Sequence, residues 1–213
     1  MQETEFKAVE MQAWQGEAVL IDVQTPLLTP RLEILAPNVA LAQPLADALN
    51  ASYETHCLFL VWSRPRWELA DTLETLQRAQ SDFVRHDAEK KFFLLTREHP
   101  QQLVGCIGFT PKPDGSHEIG YWANQSFQGR GLMREALTAL IAQLPGTRLY
   151  LTTSSANTAS RQLADSVGFR LVRTLVGDRR SDVFGVCDTL VFKRGDADWL
   201  QGSSCAADDY SCR

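Results

Sequence analysis

Gln128-Gly129-Arg130-Gly131 stands directly before an amphipathic run, Leu132 to Leu144, in "SFQGRGLMREALTALIAQL". Glycine has no Cβ, so the backbone there can approach a ligand closely. The first turn of a helix leaves its N–H groups unpaired at the positive end of the helix dipole. Together these make an anion site suited to a pyrophosphate, with Arg130 and Arg134 adding positive charge. The turn alone fits a plain helix cap equally well. It is no Walker loop, because no GK[ST] follows, and the GxGxxG dinucleotide pattern breaks at Arg134.

Two further groups could take part in chemistry. Asn157 and Ser160 stand three apart at the start of "NTASRQLADSVGF", a predicted helix stopped by Gly168, so they share a face. Ser160 also fits a simple capping role there. Glu118 is the charged residue in the apolar, β-forming run "HEIGYWA". A period of two puts residues 118, 120 and 122 on one face and 117, 119 and 121 on the other. A carboxylate buried at a strand centre has a raised pKa and can accept a proton directly or through water. On an exposed face it would be an ordinary surface residue. His117 is the neighbouring alternative base, expected in the turn and solvated.

The elements that must position these groups follow from pattern. "PRLEIL" alternates as a strand, and "APNVALAQPLADALN" reads as a helix started by Asn38 and put in doubt by Pro44. Trp67, Leu69, Leu73, Leu76 and Phe83 give "RWELADTLETLQRAQSDFVRH" a helical stripe. "KFFLLTR" and "QLVGCIGF" form a hairpin, "PKPDGS" makes a turn with Asp-Gly at its tip, and "HEIGYWA" follows as the next strand. The helix over 130–143 places Leu132, Ala136, Leu137, Leu140, Ile141 and Leu144 on one face. "RLYLTT", "RLVRTLV" and "CDTLVFK" complete the strands. The segment "MQAWQGEAVLID" could add a strand or arm. The small, polar, acidic tail after Trp199 predicts disorder.

With 213 residues and 44% hydrophobic content, the chain can build one sizeable α/β domain. A net charge of −5 argues against a nucleic-acid partner. Five cysteines (Cys57, Cys106, Cys187, Cys205, Cys212) without a CxxC pair argue against a disulfide framework or a metal site. They fit a reducing, cytoplasmic compartment. Cys57 and Cys106 lie in apolar runs and read as packed thiols. No run is apolar and long enough for a membrane span, and the N-terminus does not read as a signal peptide.

Combined, "EIGYWANQSFQGRGLMREAL", Asn157-x-x-Ser160 and Gly168-Phe169 resemble the GCN5-related N-acetyltransferases, and most closely their RimJ/RimL-like ribosomal-protein branch. The branch's opening "TPRL" is present at Thr29 to Leu32, and its ending matches "CDTLVFKRGDADW". The resemblance covers roughly 28 to 199. It implies a mixed α/β fold: a twisted, mostly antiparallel sheet of about seven strands, splayed between the fourth and fifth and flanked by helices. The implied domain is 29–199, with an N-terminal extension over 1–28 and a tail over 200–213.

The resemblance implies direct attack of an amine on acetyl-CoA, without a covalent enzyme intermediate or a metal. Gln128, Gly129, Arg130, Gly131, Leu132 and Met133 would hold the cofactor through their amides. Asn157 would reach its pantetheine or thiol end. Tyr121, Trp122 and Ala123 would pair with pantetheine through the strand backbone, although Trp122 also fits a core aromatic. Glu118 would be the base. Many relatives carry a thiolate-protonating tyrosine four residues before the glycine of "GF"; Ala164 stands there, and the branch offers Ser160 as acid instead. Met133 is bulkier than the superfamily pattern.

An α-amine has a pKa near 8 and a lysine side chain one near 10.4, so at pH 7 roughly a tenth of the former is neutral but only about one part in a few thousand of the latter. This favours a protein or peptide N-terminus as acceptor. A small-molecule amine such as an antibiotic or polyamine, and a non-catalytic acetyl-CoA-binding module, are the alternatives. Both monomer and homodimer fit the sequence. The acceptor pocket would come from the helices at 38–50 and 66–86 and the loop near Asp178 to Phe184, with "HCLFLVW" as a possible lining.

Overall fold

The computed structural model describes residues 21–201. In chain order these form β1 (Leu27–Leu28), β2 (Leu32–Leu35), α1 (Ala42–Ala51), α2 (Tyr53–His56), α3 (Leu69–Phe83), β3 (Lys90–Thr96), β4 (Leu103–Pro111), β5 (His117–Ala123), α4 (Leu132–Ala142), β6 (Leu149–Ser154), α5 (Thr158–Ser166), β7 (Arg170–Ser181), β8 (Gly185–Arg194) and α6 (Ala197–Gln201). The arm considered over 11–22 falls mostly outside the described residues, as do residues 202–213 of the tail. Trp199 itself lies in α6, where its indole N–H donates to the Leu149 carbonyl at 3.3 Å and the Lys193 ammonium lies 3.9 Å from the ring centroid.

One sheet runs in the order β1-β2-β3-β4-β5-β6-β8-β7. Among the described residues it has eight strands, in line with the expected count of about seven; the two-residue β1 pairs with β2 N-terminal to the expected start at 29. Every neighbouring pair is antiparallel except β5 and β6, which run parallel and pair only at His117↔Leu149 and Glu118↔Tyr150. Meanwhile β4 holds β5 over its whole length, from Pro111↔His117 to Gly105↔Ala123. Beyond Glu118, β5 and β6 therefore part and open a V in the sheet. With β1 set aside, that V lies between the fourth and fifth strands, as expected.

Helices cover both faces. On one, Leu45, Leu49 and Leu76 of α1 and α3 bury Phe93, Leu95, Leu103 and Cys106. On the other, the six predicted apolar positions around α4 are all buried, packing with Phe92, Leu94, Ile107, Phe109 and Ile119. A bulge in β4 shifts the register between Leu94↔Gly105 and Leu95↔Leu103. Past it the alternation is reversed: Leu103 joins Cys106 in the α1/α3 core and Val104 joins Ile107 in the α4 core.

Local chemistry explains where the elements differ from pattern. Asn38 caps only a 3-10 turn, Val39–Leu41, by accepting from the Ala40 N–H, and α1 starts after it. Pro44 then falls in the first turn, where its missing N–H has no intrahelical role. The buried face of α3 is Thr72, Leu76 and Ala79, while Leu69 is exposed. Lys90, itself buried, donates to the carbonyls of Asp82, Phe83 and Arg85 and so satisfies the end of α3. Two sequence expectations are corrected. Cys57 is exposed, because α2 ends at His56 and turns it outward; Cys106 is packed as expected, and burial pushes its thiol up to about 12. His117 is buried in β5, not solvated in the turn, because its N–H continues the sheet by pairing with the Arg148 carbonyl.

Candidate active site

The V opens onto a cavity of about 760 Å³. One wall is Gln128 to Arg134, the predicted anion site. Gly129 and Gly131 hold φ of +73° and +72°, in the left-handed region that side chains with a Cβ adopt only at a cost. Gly131 is the N-cap of α4 and supplies no capping side chain, so nothing from this residue covers the first-turn amides. A Cβ on Gly131 would lie 3.8 Å from Arg31 Nη2 and 3.9 Å from Arg134 Nη2. Arg130 lies over Phe127, 5.3 Å from its ring centroid. Three guanidinium groups thus surround the loop, one of them not expected from the loop itself.

That one, Arg31, comes from the "TPRL" stretch. Its Nε donates to Glu135 Oε2 at 2.6 Å and its Nη1 to the Arg130 carbonyl at 2.9 Å. Glu135 Oε1 accepts from the Thr29 hydroxyl at 2.6 Å and the Arg31 N–H at 2.9 Å. Burial works to raise the Glu135 carboxyl, but the bonds from Thr29 and Arg31 together hold it below its ordinary value. The edge of the sheet is thereby tied to the loop.

The second wall is β5. Asn124 N–H donates to the Val104 carbonyl at 2.8 Å, and alternation along the antiparallel pair then turns the Trp122 backbone groups toward Cys106. The backbone groups of Tyr121 and Ala123 face the V instead. So of the three residues expected to offer backbone groups, Tyr121 and Ala123 are free of β4, while Trp122 pairs with β4 and also lines the cavity.

The third wall is the start of α5. Asn157 is its cap: Oδ1 accepts from the Ser160 N–H at 3.0 Å. This corrects the reading of Ser160 as a cap and leaves its hydroxyl for another use. That hydroxyl lies 2.8 Å from the Tyr121 phenol oxygen, and both residues line the cavity. Ala164, the position of the usual tyrosine, is fully buried.

Two placements bear on the base. Glu118 sits where β5 and β6 still pair, ion-paired with Lys112 Nζ at 2.7 Å and accepting from the Tyr150 hydroxyl at 3.3 Å. It does not line the cavity. His56, which sequence reasoning missed, does. It is 5% exposed, and its Nε2 pairs with the Ala123 carbonyl at 3.0 Å. A carbonyl only accepts, so Nε2 carries the proton and Nδ1 is an acceptor. Burial holds the imidazole below its ordinary value, although the Ala123 bond opposes this. Trp62 and Trp122 pack edge-on against its ring. The only sequence signal for His56 was a lone histidine entering an apolar run.

The expected acceptor segments divide. No residue of α1 or α3 lines the cavity, whereas Leu58, Phe59 and Leu60 of "HCLFLVW" do. Phe59 also stacks on Phe184 of the β7–β8 turn, with centroids 5.4 Å apart and planes 8° from parallel. Among the described residues no group of three His, Cys, Asp or Glu could hold a metal ion, and no helix is long and apolar enough to cross a membrane.

A family model described as "Acetyltransferase (GNAT) domain" matches residues 31–170. The chain belongs to the GNAT acetyltransferase family. Within 71 residues this GNAT chain is 35% identical to the ribosomal-protein-serine acetyltransferase of Escherichia coli (strain K12), a stretch covering 32% of the chain and 38% of that protein. Its fold is similar to that of RimL, a ribosomal L7/L12 alpha-N-protein acetyltransferase in complex with coenzyme A: TM-score 0.69 at 20% identity, covering 79% of this chain and 96% of the other. The microcin C7 self-immunity acetyltransferase MccE, solved with acetyl-CoA and AMP, is equally similar at TM-score 0.69 and 18% identity, covering 79% and 94%. The family match bears out the family expected from the motifs, and the likeness to solved structures bears out the fold.

Proposed function

We propose that this GNAT domain, residues 29–199, transfers an acetyl group from acetyl-CoA directly to a primary amine, and that the amine is the α-amino group of a protein or peptide. The observation that carries the reading is the V itself: a glycine loop ringed by Arg31, Arg130 and Arg134, a strand edge at Tyr121 and Ala123 that β6 does not pair, and the Asn157–Ser160 turn all face one cavity. Its volume is in the range of pockets that hold cofactor-sized ligands.

These residues fit acetyl-CoA part by part. The amides of Gln128 to Met133 and the three guanidinium groups suit a pyrophosphate. The edge of Tyr121 and Ala123 suits the amides of a pantetheine arm, and Asn157 Nδ2 and Ser160 Oγ suit its thiol end. The donor supplies an activated acetyl group. The chain aligns the amine, takes up its proton and stabilises the departing sulfur.

Two groups compete for the amine's proton. Glu118, expected from its place in the strand, would have to exchange its Lys112 pairing for a water chain into the cavity. His56 already faces the cavity, is neutral at pH 7 because burial lowers its pKa, and presents Nδ1 as acceptor; this placement favours it. Neither is a strong base, which suits an α-amine better than a lysine side chain. The named activities of the relatives point the same way.

Thiol release from acetyl-CoA, followed with N-terminal peptides, lysine derivatives, polyamines and aminoglycosides, tests the reading. Turnover with peptides is expected. Turnover confined to a small amine would move the acceptor to that class, and binding without any thiol release would leave an acetyl-CoA-binding module.

A further inference from the structure

We propose that Tyr121 is the acid of this site, passing its phenolic proton through the Ser160 hydroxyl to the departing thiolate. The inference rests on the acetyl-transfer reading and names the group that completes it.

A serine alone is a poor acid for this task. Its hydroxyl donates a hydrogen bond readily, but giving up the proton outright would leave an alkoxide far more basic than a thiolate. A phenol, with an ordinary pKa near 10, is close to the range of thiols. The structure supplies one. Tyr121 Oη lies 2.8 Å from Ser160 Oγ and 3.3 Å from the Ser160 carbonyl oxygen. When the phenol donates to Oγ, the serine's own proton is free to point into the cavity that both residues line. Ala164 offers no proton, so the phenol reaches this end of α5 from β5.

The step balances. As the amine nitrogen bonds to the acetyl carbon, the carbon–sulfur bond breaks and its electron pair stays on sulfur. Ser160 Oγ gives its proton to sulfur while Tyr121 Oη gives its proton to Oγ, leaving a tyrosinate. The proton shed by the amine, passed on through solvent, restores the phenol. No other reactant is needed. Burial raises the Tyr121 phenol, and the Ser160 bond lowers it; no charged side chain contributes. The phenol therefore rests protonated at neutral pH, as an acid must.

The test uses the full chain as wild type, Tyr121→Phe, Ser160→Ala and the double variant, each confirmed folded by its melting transition. Each single substitution should lower kcat by roughly ten- to a thousand-fold, the range for losing one donor or proton-transfer group, with little change in acetyl-CoA affinity by calorimetry. Residues that act as one path are non-additive, so the double variant should fall no further than the worse single one. A second readout needs no turnover: the ultraviolet difference titration of wild type against Tyr121→Phe reports ionisation of this phenol. Ser160→Ala should move that ionisation to higher pH. Normal kcat in Tyr121→Phe, or additive losses, overturns the shared path, and an unmoved titration overturns the contact. If wild type transfers no acetyl group to any amine, the acetyl-transfer reading fails instead, while the titration still reports the pair.

Discussion

Arg31 binds Glu135 through both side chain and backbone, and its Nη1 holds the Arg130 carbonyl inside the glycine loop. One residue on the sheet edge thus fixes both the first turn of α4 and the loop that precedes it. A rigid loop loses less entropy when it closes on an anion.

Glu135→Gln should therefore weaken acetyl-CoA binding by roughly tenfold, the loss expected when one charge-assisted bond is reduced to a neutral one. Calorimetry checks it. Because the Glu135 pKa is lowered on folding, its contribution to stability is present above the ordinary glutamate value of 4.5 and is lost as pH falls through the folded value. Melting temperatures of wild type and Glu135→Gln should converge in that acid window.

Gly131 separates conformation from charge. Its would-be Cβ has no atom closer than 3.8 Å, so Gly131→Ala should cost only the left-handed backbone penalty, about 1–2 kcal/mol of stability. Gly131→Glu places a negative charge among Arg31, Arg130 and Arg134 and should abolish acetyl-CoA binding in a folded protein. Unchanged affinity by calorimetry would contradict the anion-site reading.

Much of this site was legible in the sequence, for local reasons. Turn glycines, a helix stripe and a cap act over a few residues, so the loop at 128–131, the buried face of α4 and the pairing of Asn157 with Ser160 could all be read from spacing. The contacts that join these parts are not local. Arg31 meets Glu135 across 104 residues and Tyr121 meets Ser160 across 39. No period in the sequence reports such pairings. The β4 bulge and the sharing of β5 backbone groups between β4 and the V likewise depend on register, which pattern alone leaves open. Glu118 illustrates the limit: the alternation was right, but its position along the strand put it at the paired end of the V.

The two base candidates respond differently to substitution. His56→Gln keeps a donor for the Ala123 carbonyl and removes the basic nitrogen. It should lower kcat/KM by roughly a hundredfold or more near neutral pH, with recovery as the amine deprotonates by itself at higher pH. Glu118→Gln should change kcat/KM by less than about threefold, as loss of a half-exposed ion pair would. The reverse ranking in pH–rate profiles would return the base role to Glu118.

His56 and His117 are both buried with pKa values lowered by that burial, and His117 Nδ1 has no hydrogen-bond partner. The unfolded chain takes up these protons first as pH falls below the ordinary value of 6.5, so the folded state loses stability from there down through the folded values. Melting temperature should be flat above that point and drop below it. His117→Leu should make the drop shallower.

The most direct measurement uses one peptide with a free N-terminus and an internal lysine, incubated with acetyl-CoA and the protein and sequenced by tandem mass spectrometry. The cavity, its weak bases and its acid pair predict acetylation at the N-terminal nitrogen, lost in Gly131→Glu. Acetyl groups on the lysine alone, or equal labelling with and without the Gly131→Glu substitution, would contradict transfer to an α-amine at this site.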